Sequence, residues 1–399
     1  MGDTTFDSAN FASLLGTSIP GEFITATATD SIGNTSEFSL AYYAPLNSPP
    51  TANAGGPYTV VRGGALTLNA SGSSDPDQAN STFVYSWDLD GDGVFGETGS
   101  GASRGNEVGM NPVYSANGLN NMVTNTVSLR VTDAGGLTAT STATINVMLT
   151  GLMDDPLALG QKMLVIGGST GNDSIRIEVE DDDHDCQDRN AQYVNIRINQ
   201  HNEGHVKIRG NFALPVSRIV VYAQAGNDDV KMDEDSTISV WLLGGDGDDR
   251  LQGGAGDDVI LGGAGDDLLS GEEGRDLLIG GTGADRILGN AGDDILISGM
   301  TDYDAIDVAL KRIVMEWSRT DTAFATRVNH LKVGGGLNQA YLLTDLTVHD
   351  DHAADVLTGC EGNDWFLFNV DGDGGTKDKV KDLATFEATY ASDIDWLSL

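Results

Sequence analysis

The sequence predicts a mainly β chain: a β-sandwich, then a parallel β-roll (a β-solenoid), closed by a small helical and β cap. Three observations predict it. Six nonapeptides run without a gap from Gly244 to Ile297, each with glycines, one aspartate and one large aliphatic residue at fixed positions. Before them, short β-branched and aromatic runs alternate with glycine and aspartate turns at the intervals of an antiparallel sandwich. After them, Tyr303, Ile306, Leu310, Ile313 and Trp317 recur at three- and four-residue steps, the period of an amphipathic helix.

Within residues 1–44, Thr25, Thr27 and Thr29 alternate with Ile24, Ala26 and Ala28 before a turn at Gly33 and Asn34. This pattern predicts a β-hairpin, too short for a domain and suited to be the remnant of an upstream β module. Residues 45–149 open on a polar, proline-containing linker. They then carry strand-like YTVV, LTLNAS, TFVYSWDL, TVSLRVTD and TATSTATINVML. Residues 150–161 read as a linker. Residues 162–243 read as a β-rich lead-in, and two of its stretches, 168–176 and 223–231, already carry the nonapeptide in degraded form.

The array itself occupies residues 244–298: GGDGDDRLQ, GGAGDDVIL, GGAGDDLLS, GEEGRDLLI, GGTGADRIL and GNAGDDILI. Its glycines stand where the backbone must turn tightly with positive φ. The half that follows is a minimal strand whose middle side chain points inward. Those inward residues are Leu251, Ile260, Leu269, Leu278, Ile287 and Leu296. Two nonapeptides make one coil, so every second repeat stacks on the same edge. The sixth-position aspartates then form two columns, Asp249, Asp267 and Asp285 in one and Asp258, Asp276 and Asp294 in the other. Carboxylates about 5 Å apart at an effective dielectric near 20 repel by roughly 3 kcal/mol. The array holds thirteen acids against three arginines, Arg250, Arg275 and Arg286, so the columns need a cation in order to stack. A hard divalent ion taking the six carboxylates and the turn carbonyls removes the repulsion, and Ca²⁺ suits such a site better than Mg²⁺. Several ions are expected. Glu272 and Asn290 stand at glycine positions and Arg275 lies in a turn, so sites using those turns are expected to be weaker or absent.

The pattern G-G-x-G-x-D-x-U-x resembles the calcium-binding repeat of RTX (hemolysin-type) proteins. Residues 52–149 resemble the PKD family of immunoglobulin-like domains through Ala54-Gly55-Gly56-Pro57-Tyr58, Ser71-Gly72-Ser73-Ser74-Asp75-Pro76-Asp77, Tyr85-Ser86-Trp87-Asp88 and Val131-Thr132-Asp133 with Gly135-Gly136. That resemblance implies a spacer or binding module of an extracellular protein, with Trp87 in its core.

Residues 299–399 are expected to cap the roll. Thr301 and Asp304 have capping-box spacing, a second helix carries Phe324, Val328 and Leu331, and both helices are expected over the open end. Degraded repeats return at 350–358 and 359–367.

Bulk composition limits the partners. Acids outnumber bases 60 to 22, for a formal charge of −38. Nucleic acid and anionic membrane surfaces, which need clustered Lys and Arg, are poor partners. Cell-surface or matrix proteins and glycans stay open. Two distant cysteines, Cys186 and Cys360, exclude a disulfide framework. Apolar runs are too short for a membrane span. The N-terminus lacks the basic and apolar regions of a signal peptide, so export uses another route or the chain is a piece of a longer one.

Weaker motifs are read as structural. Asp88, Asp90, Asp92 and Gly93, and again Asn369, Asp371, Asp373 and Gly374, open like EF-hand loops. Gly99 and Val380 replace the closing glutamate, so both read as exposed acidic turns. Ser169 lies in a G-x-S-x-G run that leads into a strand where a nucleophile elbow needs a helix. His349 and His352 read as a solvated pair. The expectation is a secreted or cell-surface calcium-binding protein with no catalytic residues, serving adhesion or matrix assembly. The alternatives are a secretion appendage of an upstream hydrolase, or glycan or protein binding through the PKD-like domain.

Overall fold

The computed structural model describes residues 46–181, 192–200, 204–213, 215–370 and 376–383, and the backbone of three short strands, Phe23–Ile24, Tyr42–Tyr43 and Ser392–Asp393. The first two of these strands pair antiparallel, Phe23 with Tyr43 and Ile24 with Tyr42. The rest of the expected hairpin lies outside the described residues.

Two compact units share the chain. One holds Met1–Pro57, Thr67–Val113 and Thr126–Thr144; the other holds Tyr58–Leu66, Tyr114–Asn125 and Ile145–Leu399. In the first unit Val84–Asp88 pairs antiparallel with the strand Thr124–Thr132, and Trp87 is fully buried with Nε1 donating to the Gly109 carbonyl at 3.0 Å. The units do not divide at residue 149. Tyr58–Val61 and the end of Thr138–Met148 pair in parallel within the second unit.

The second unit is built on two nine-stranded sheets. Parallel neighbours in the first sheet are Lys162–Gly167, Ile219–Ala225, Val240–Asp246, Val259–Ala264, Leu277–Thr282, Ile295–Ile297 and Trp365–Phe368. The second sheet runs through Asp173–Asp181, Asp229–Met232, Arg250–Gln252, Leu268–Glu273, Arg286–Ala291, Val356–Glu361 and Lys379–Val380. Successive array strands alternate between the sheets, so Leu251 registers with Leu269 and Ile260 with Leu278. This is the geometry of a β-roll. All six inward aliphatic residues of the array are fully buried in one core between the sheets, each contributing about 1.5–3 kcal/mol by leaving water.

The roll is longer than the array. Strand Asp229–Met232 pairs in parallel with Asp173–Asp181 and with Arg250–Gln252, so both degraded stretches of the lead-in are coils of the roll. Val356–Glu361 and Trp365–Phe368 continue the sheets beyond the sixth repeat. Residues 150–161, read as a linker, contain the strand Thr150–Asp154, paired antiparallel with Lys162–Gly167 at the edge of the first sheet.

The two helices, α1 (Asp307–Trp317) and α2 (Phe324–Val333), do not cover the end of the roll. They lie on the outer face of the first sheet. Leu310, Ile313 and Trp317 of α1 and Phe324, Val328 and Leu331 of α2 share a second core with outward residues such as Val259, Leu277, Ile279 and Ile295. The reason is compositional: this sheet's array strands read VIL, LLI and ILI, apolar on both faces, and a bare outer face would leave that surface in water. Helix α1 starts at Asp307 rather than at Thr301. Thr301 Oγ1 bonds Asp304 Oδ1 at 2.5 Å and Thr301 N–H bonds Oδ2 at 3.0 Å, but the pair closes a turn upstream of the helix.

Candidate metal centre

Each turn between sheets is shaped by its glycines. The second-position residue takes a left-handed conformation in most turns, with φ 108° at Gly245, 113° at Gly263 and 111° at Gly281. Glu272 and Asn290 take it too, at φ 76° and 74°, so these substitutions keep the turn shape despite the strain. At the first position the requirement is different: space. A Cβ on Gly262 would collide with Asp267 Oδ2 and the Gly280 carbonyl oxygen, and one on Gly280 with Asp285 Oδ2 and the Ser298 carbonyl oxygen. The missing side chain is the cradle in which carboxylate and carbonyl oxygens converge.

All six sequence-predicted aspartates line these turns, in the two columns expected. Each is nearly or wholly buried. Their Oδ1 atoms form ladders with the backbone of the preceding coil. In one column, N–H groups of Asp228, Asp249 and Asp267 donate to Asp249, Asp267 and Asp285 at 2.7, 2.7 and 2.8 Å. In the other, Val240, Asp258 and Asp276 donate to Asp258, Asp276 and Asp294 at 2.8, 2.8 and 2.9 Å. Asp258 Oδ2 accepts from Gly254 at 2.8 Å. By contrast, Oδ2 of Asp249, Asp267, Asp276, Asp285 and Asp294 is buried with no hydrogen-bond partner.

A buried carboxylate oxygen without a donor costs several kcal/mol unless it is protonated or holds a cation. Burial, first, pushes Asp249 and Asp267 up to about 7 and Asp258 and Asp285 up to about 8, the backbone N–H groups pulling partly back. Asp276 and Asp294 lie well above the usual carboxylate range, through burial and then the charge of neighbouring aspartates. A divalent cation reverses this penalty by replacing the lost water. The donor set, carboxylate Oδ2 plus main-chain carbonyl at a glycine cradle, is all oxygen and fits Ca²⁺.

The ladder also takes in residues that sequence reasoning did not assign. Asp285 N–H donates to Asp355 Oδ1 at 2.7 Å, Asp355 N–H to Asp378 Oδ1 at 2.9 Å, and Asp294 N–H to Asp364 Oδ1 at 2.9 Å. Asp228 holds the rung before Asp249, accepting from Asp173 N–H at 2.6 Å. The signal was present in the degraded repeats: an aspartate two residues before an inward apolar side chain, as in Asp228–Val230 and Asp355–Leu357, survives after the glycines are lost.

Residues 243–278 and 270–300 match the family model of the RTX calcium-binding nonapeptide repeat (4 copies). The array is a calcium-binding repeat. No curated protein matches the chain. Among solved structures, one is described as a nucleoside hydrolase-related hypothetical protein from Saccharophagus degradans associated with carbohydrate metabolism. It is 24% identical over 27% of each chain, with a TM-score of 0.22. Another, described under the promiscuous specificity of carbohydrate-binding modules from the β-sandwich superfamily, is 20% identical, covers 39% of this chain and 56% of its own, and has a TM-score of 0.20. The chain thus spans about a quarter of the first structure and about half of the second.

Other candidate residues resolve as follows. Asp88 and Glu107 are buried, not exposed, and ligand oxygens of Asp88, Asp90 and Glu107 lie within 4.8 Å of one another, as do those of Asp90, Asp92 and Glu97. Backbone N–H groups of Gly91, Gly93, Leu89 and Glu97 already fill much of this acceptor capacity. Residues Asp371, Asp373 and Gly374 of the second EF-hand-like stretch lie outside the described residues. Ser169 Oγ contacts Asp173 Oδ1 and the Gly171 carbonyl at 3.2 Å, and a strand follows it. His349 and His352 bond separately to Asp302 and Asp350, each at 2.8 Å. No helix among the described residues is long and apolar enough to cross a membrane.

Proposed function

We propose that this chain is part of a secreted or cell-surface, non-catalytic protein whose roll folds on binding several calcium ions, and that it serves adhesion or matrix assembly. The observation that carries the reading is the set of buried Oδ2 atoms without donors at Asp249, Asp267, Asp276, Asp285 and Asp294. At sub-micromolar calcium these carboxylates oppose stacking of the coils. At the millimolar calcium outside cells they hold ions, and stacking becomes favourable. Residues 45–149 act as a PKD-like spacer or binding module. Support for that role comes from the motif resemblance and from Trp87, which lies in a core and offers no exposed ring to a glycan.

The test is a calcium titration of the full chain, followed by far-UV circular dichroism from a chelator baseline. A cooperative gain of β signal at about 0.1–1 mM calcium is expected, the range of extracellular modules. A full β signal in chelator that calcium leaves unchanged would overturn the reading.

A further inference from the structure

The step along the first column is 18 residues from Asp267 to Asp285 but 70 residues from Asp285 to Asp355, because both helices are inserted between those coils. The rung nevertheless closes as the others do. The turn that closes it, residues 350–355, keeps none of the glycines: Asp350, Asp351, His352, Ala353 and Ala354 precede Asp355. Counted back from Asp355, Asp350 and Asp351 have the sequence positions of Gly280 and Gly281, whereas in space Ser298 and Gly299 follow Ile297 opposite those glycines, Gly281 N–H donating to the Gly299 carbonyl at 3.1 Å. In the array the fourth-position N–H donates to the third-position carbonyl of the next coil, Gly247 to Ala264 at 2.6 Å and Gly265 to Thr282 at 2.7 Å. At this rung Gly283 N–H donates instead to the Asp351 carboxylate, at 2.6 Å.

Two buried oxygens in this turn have no hydrogen-bond partner, Asp355 Oδ2 and Asp350 Oδ1. Asp355 is 1% exposed and the Asp350 side chain 3%. Asp285 before it and Asp378 after it bring further carboxylates to the same column. Among the described residues, the basic side chain bonded to this set is His352, which is exposed and holds Asp350 Oδ2 at 2.8 Å.

We infer that the turn 350–355 holds a calcium ion through Asp355, outside the span matched by the repeat family. This ion closes the roll across the helical insertion. The inference rests on the calcium reading above. Three acidic residues stand in this turn, as in the turn of Asp249, against two in the turn of Asp267 and one in that of Asp285. Since calcium affinity follows ligand charge and site rigidity, this ion binds before those at the turns of Asp267 and Asp285.

Direct calcium binding to the full-length chain, by equilibrium dialysis across a titration, tests it with Asp355→Asn and with Asp267→Asn as a variant inside the array. Asp355→Asn is expected to lose about one ion, taken from the tightest phase, and to weaken that phase about tenfold or more. Asp267→Asn is expected to lose a later one. If Asp355→Asn keeps the full count and tight phase while Asp267→Asn loses an ion, the junction site does not exist and only the array binds. If the wild-type chain binds no calcium, the underlying reading fails as well. Hydrogen exchange on the wild-type chain keeps the test intact should Asp355→Asn not fold. Calcium must slow exchange in peptides across 350–358 at lower concentration than in peptides across 262–270. Protection confined to the array would overturn the site.

Discussion

Trp317 Nε1 donates a 2.5 Å hydrogen bond to the backbone carbonyl of Asp293, fastening the last residue of α1 to the turn of the sixth repeat. The Asp293 carboxylate is taken by Arg327 of α2, whose guanidinium also donates to the Trp317 carbonyl at 2.5 Å and lies 4.6 Å from the centre of the Trp317 ring. The helical insertion is thus bolted to the turn that carries Asp294, and it reports on that turn's order.

Arg327 is 1% exposed, so its charge depends on these partners. Arg327→Met keeps much of the stem packing but leaves the Asp293 carboxylate with the Asn363 N–H and Nδ2 donors, at 3.0 and 3.2 Å, and a longer 3.7 Å ion contact to Arg275. Breaking one side of a largely buried pair costs on the order of 3 kcal/mol. Urea unfolding of the calcium-loaded chain, followed by tryptophan fluorescence, should show a loss of that size. A shift within about 0.5 kcal/mol, the range of ordinary surface substitutions, would mean the insertion is not anchored here.

The two outer faces of the roll should respond differently to the same truncation. Leu278 is buried between the sheets and Ile279 beneath the helices, both at 2% exposure or less. Leu278→Ala and Ile279→Ala are each expected to cost about 2–5 kcal/mol. Ser270, on the outer face of the second sheet, is only half-buried, and Ser270→Ala should stay within about 1 kcal/mol after losing its bond to Glu272 and the one it accepts from Asn290 Nδ2. Chemical denaturation of the three variants at one calcium concentration decides it. A small effect at Ile279 would contradict the second core.

This contrast also marks what the sequence made legible. Period, inward residues and both columns follow from the nonapeptide, because a strict repeat leaves one way to stack. The resting place of the helices was legible too, but in a weaker signal. Only alternate repeats carry apolar residues on both sides of the inward one, Val259 and Leu261, then Leu277 and Ile279, then Ile295 and Ile297. Arg250 and Gln252 interrupt that pattern in the strands between, so one sheet asks for a cover and the other does not. The rungs at Asp228 and Asp355 were obscured by lost glycines, since the backbone can reach the same turn from other residues once neighbouring coils template it. The meeting of Glu107 with Asp88 depends on pairing between distant segments, which no local pattern encodes.

Glu272 offers a stabilising substitution. Its φ of 76° is a left-handed conformation that costs a side-chain-bearing residue about 1–2 kcal/mol. Glycine removes that strain, offset by about 0.5–1 kcal/mol of extra chain entropy in the unfolded state. Losing the 2.8 Å bond from Ser270 Oγ takes back a little more. Glu272→Gly is therefore expected to stabilise the calcium-loaded roll by about 0.5 kcal/mol. Asn290→Gly should gain less, because asparagine tolerates φ 74° better. Urea midpoints at saturating calcium would rank the two, and a destabilised Glu272→Gly would show that its side chain contributes more than the strain costs.

The buried aspartates set the pH response, and its direction depends on calcium. Asp249 and Asp267 titrate at about 7 and Asp258 and Asp285 at about 8 in the folded chain, burial being the largest cause. The unfolded value is about 3.9. A folded pKa raised in this way leaves the stabilising contribution complete below the unfolded value and removes it as pH rises through the folded one. In chelator the roll should therefore be most ordered near pH 4 and lose β signal across the window from about 4 to 8. Calcium binds the ionised form and must expel these protons, so its apparent affinity should fall as pH drops below 7. A pH-stat record of calcium addition at pH 7 should show proton release. If none is released, and the metal-free circular dichroism is flat across that window, these carboxylates are already ionised in the folded chain and something other than calcium compensates their burial.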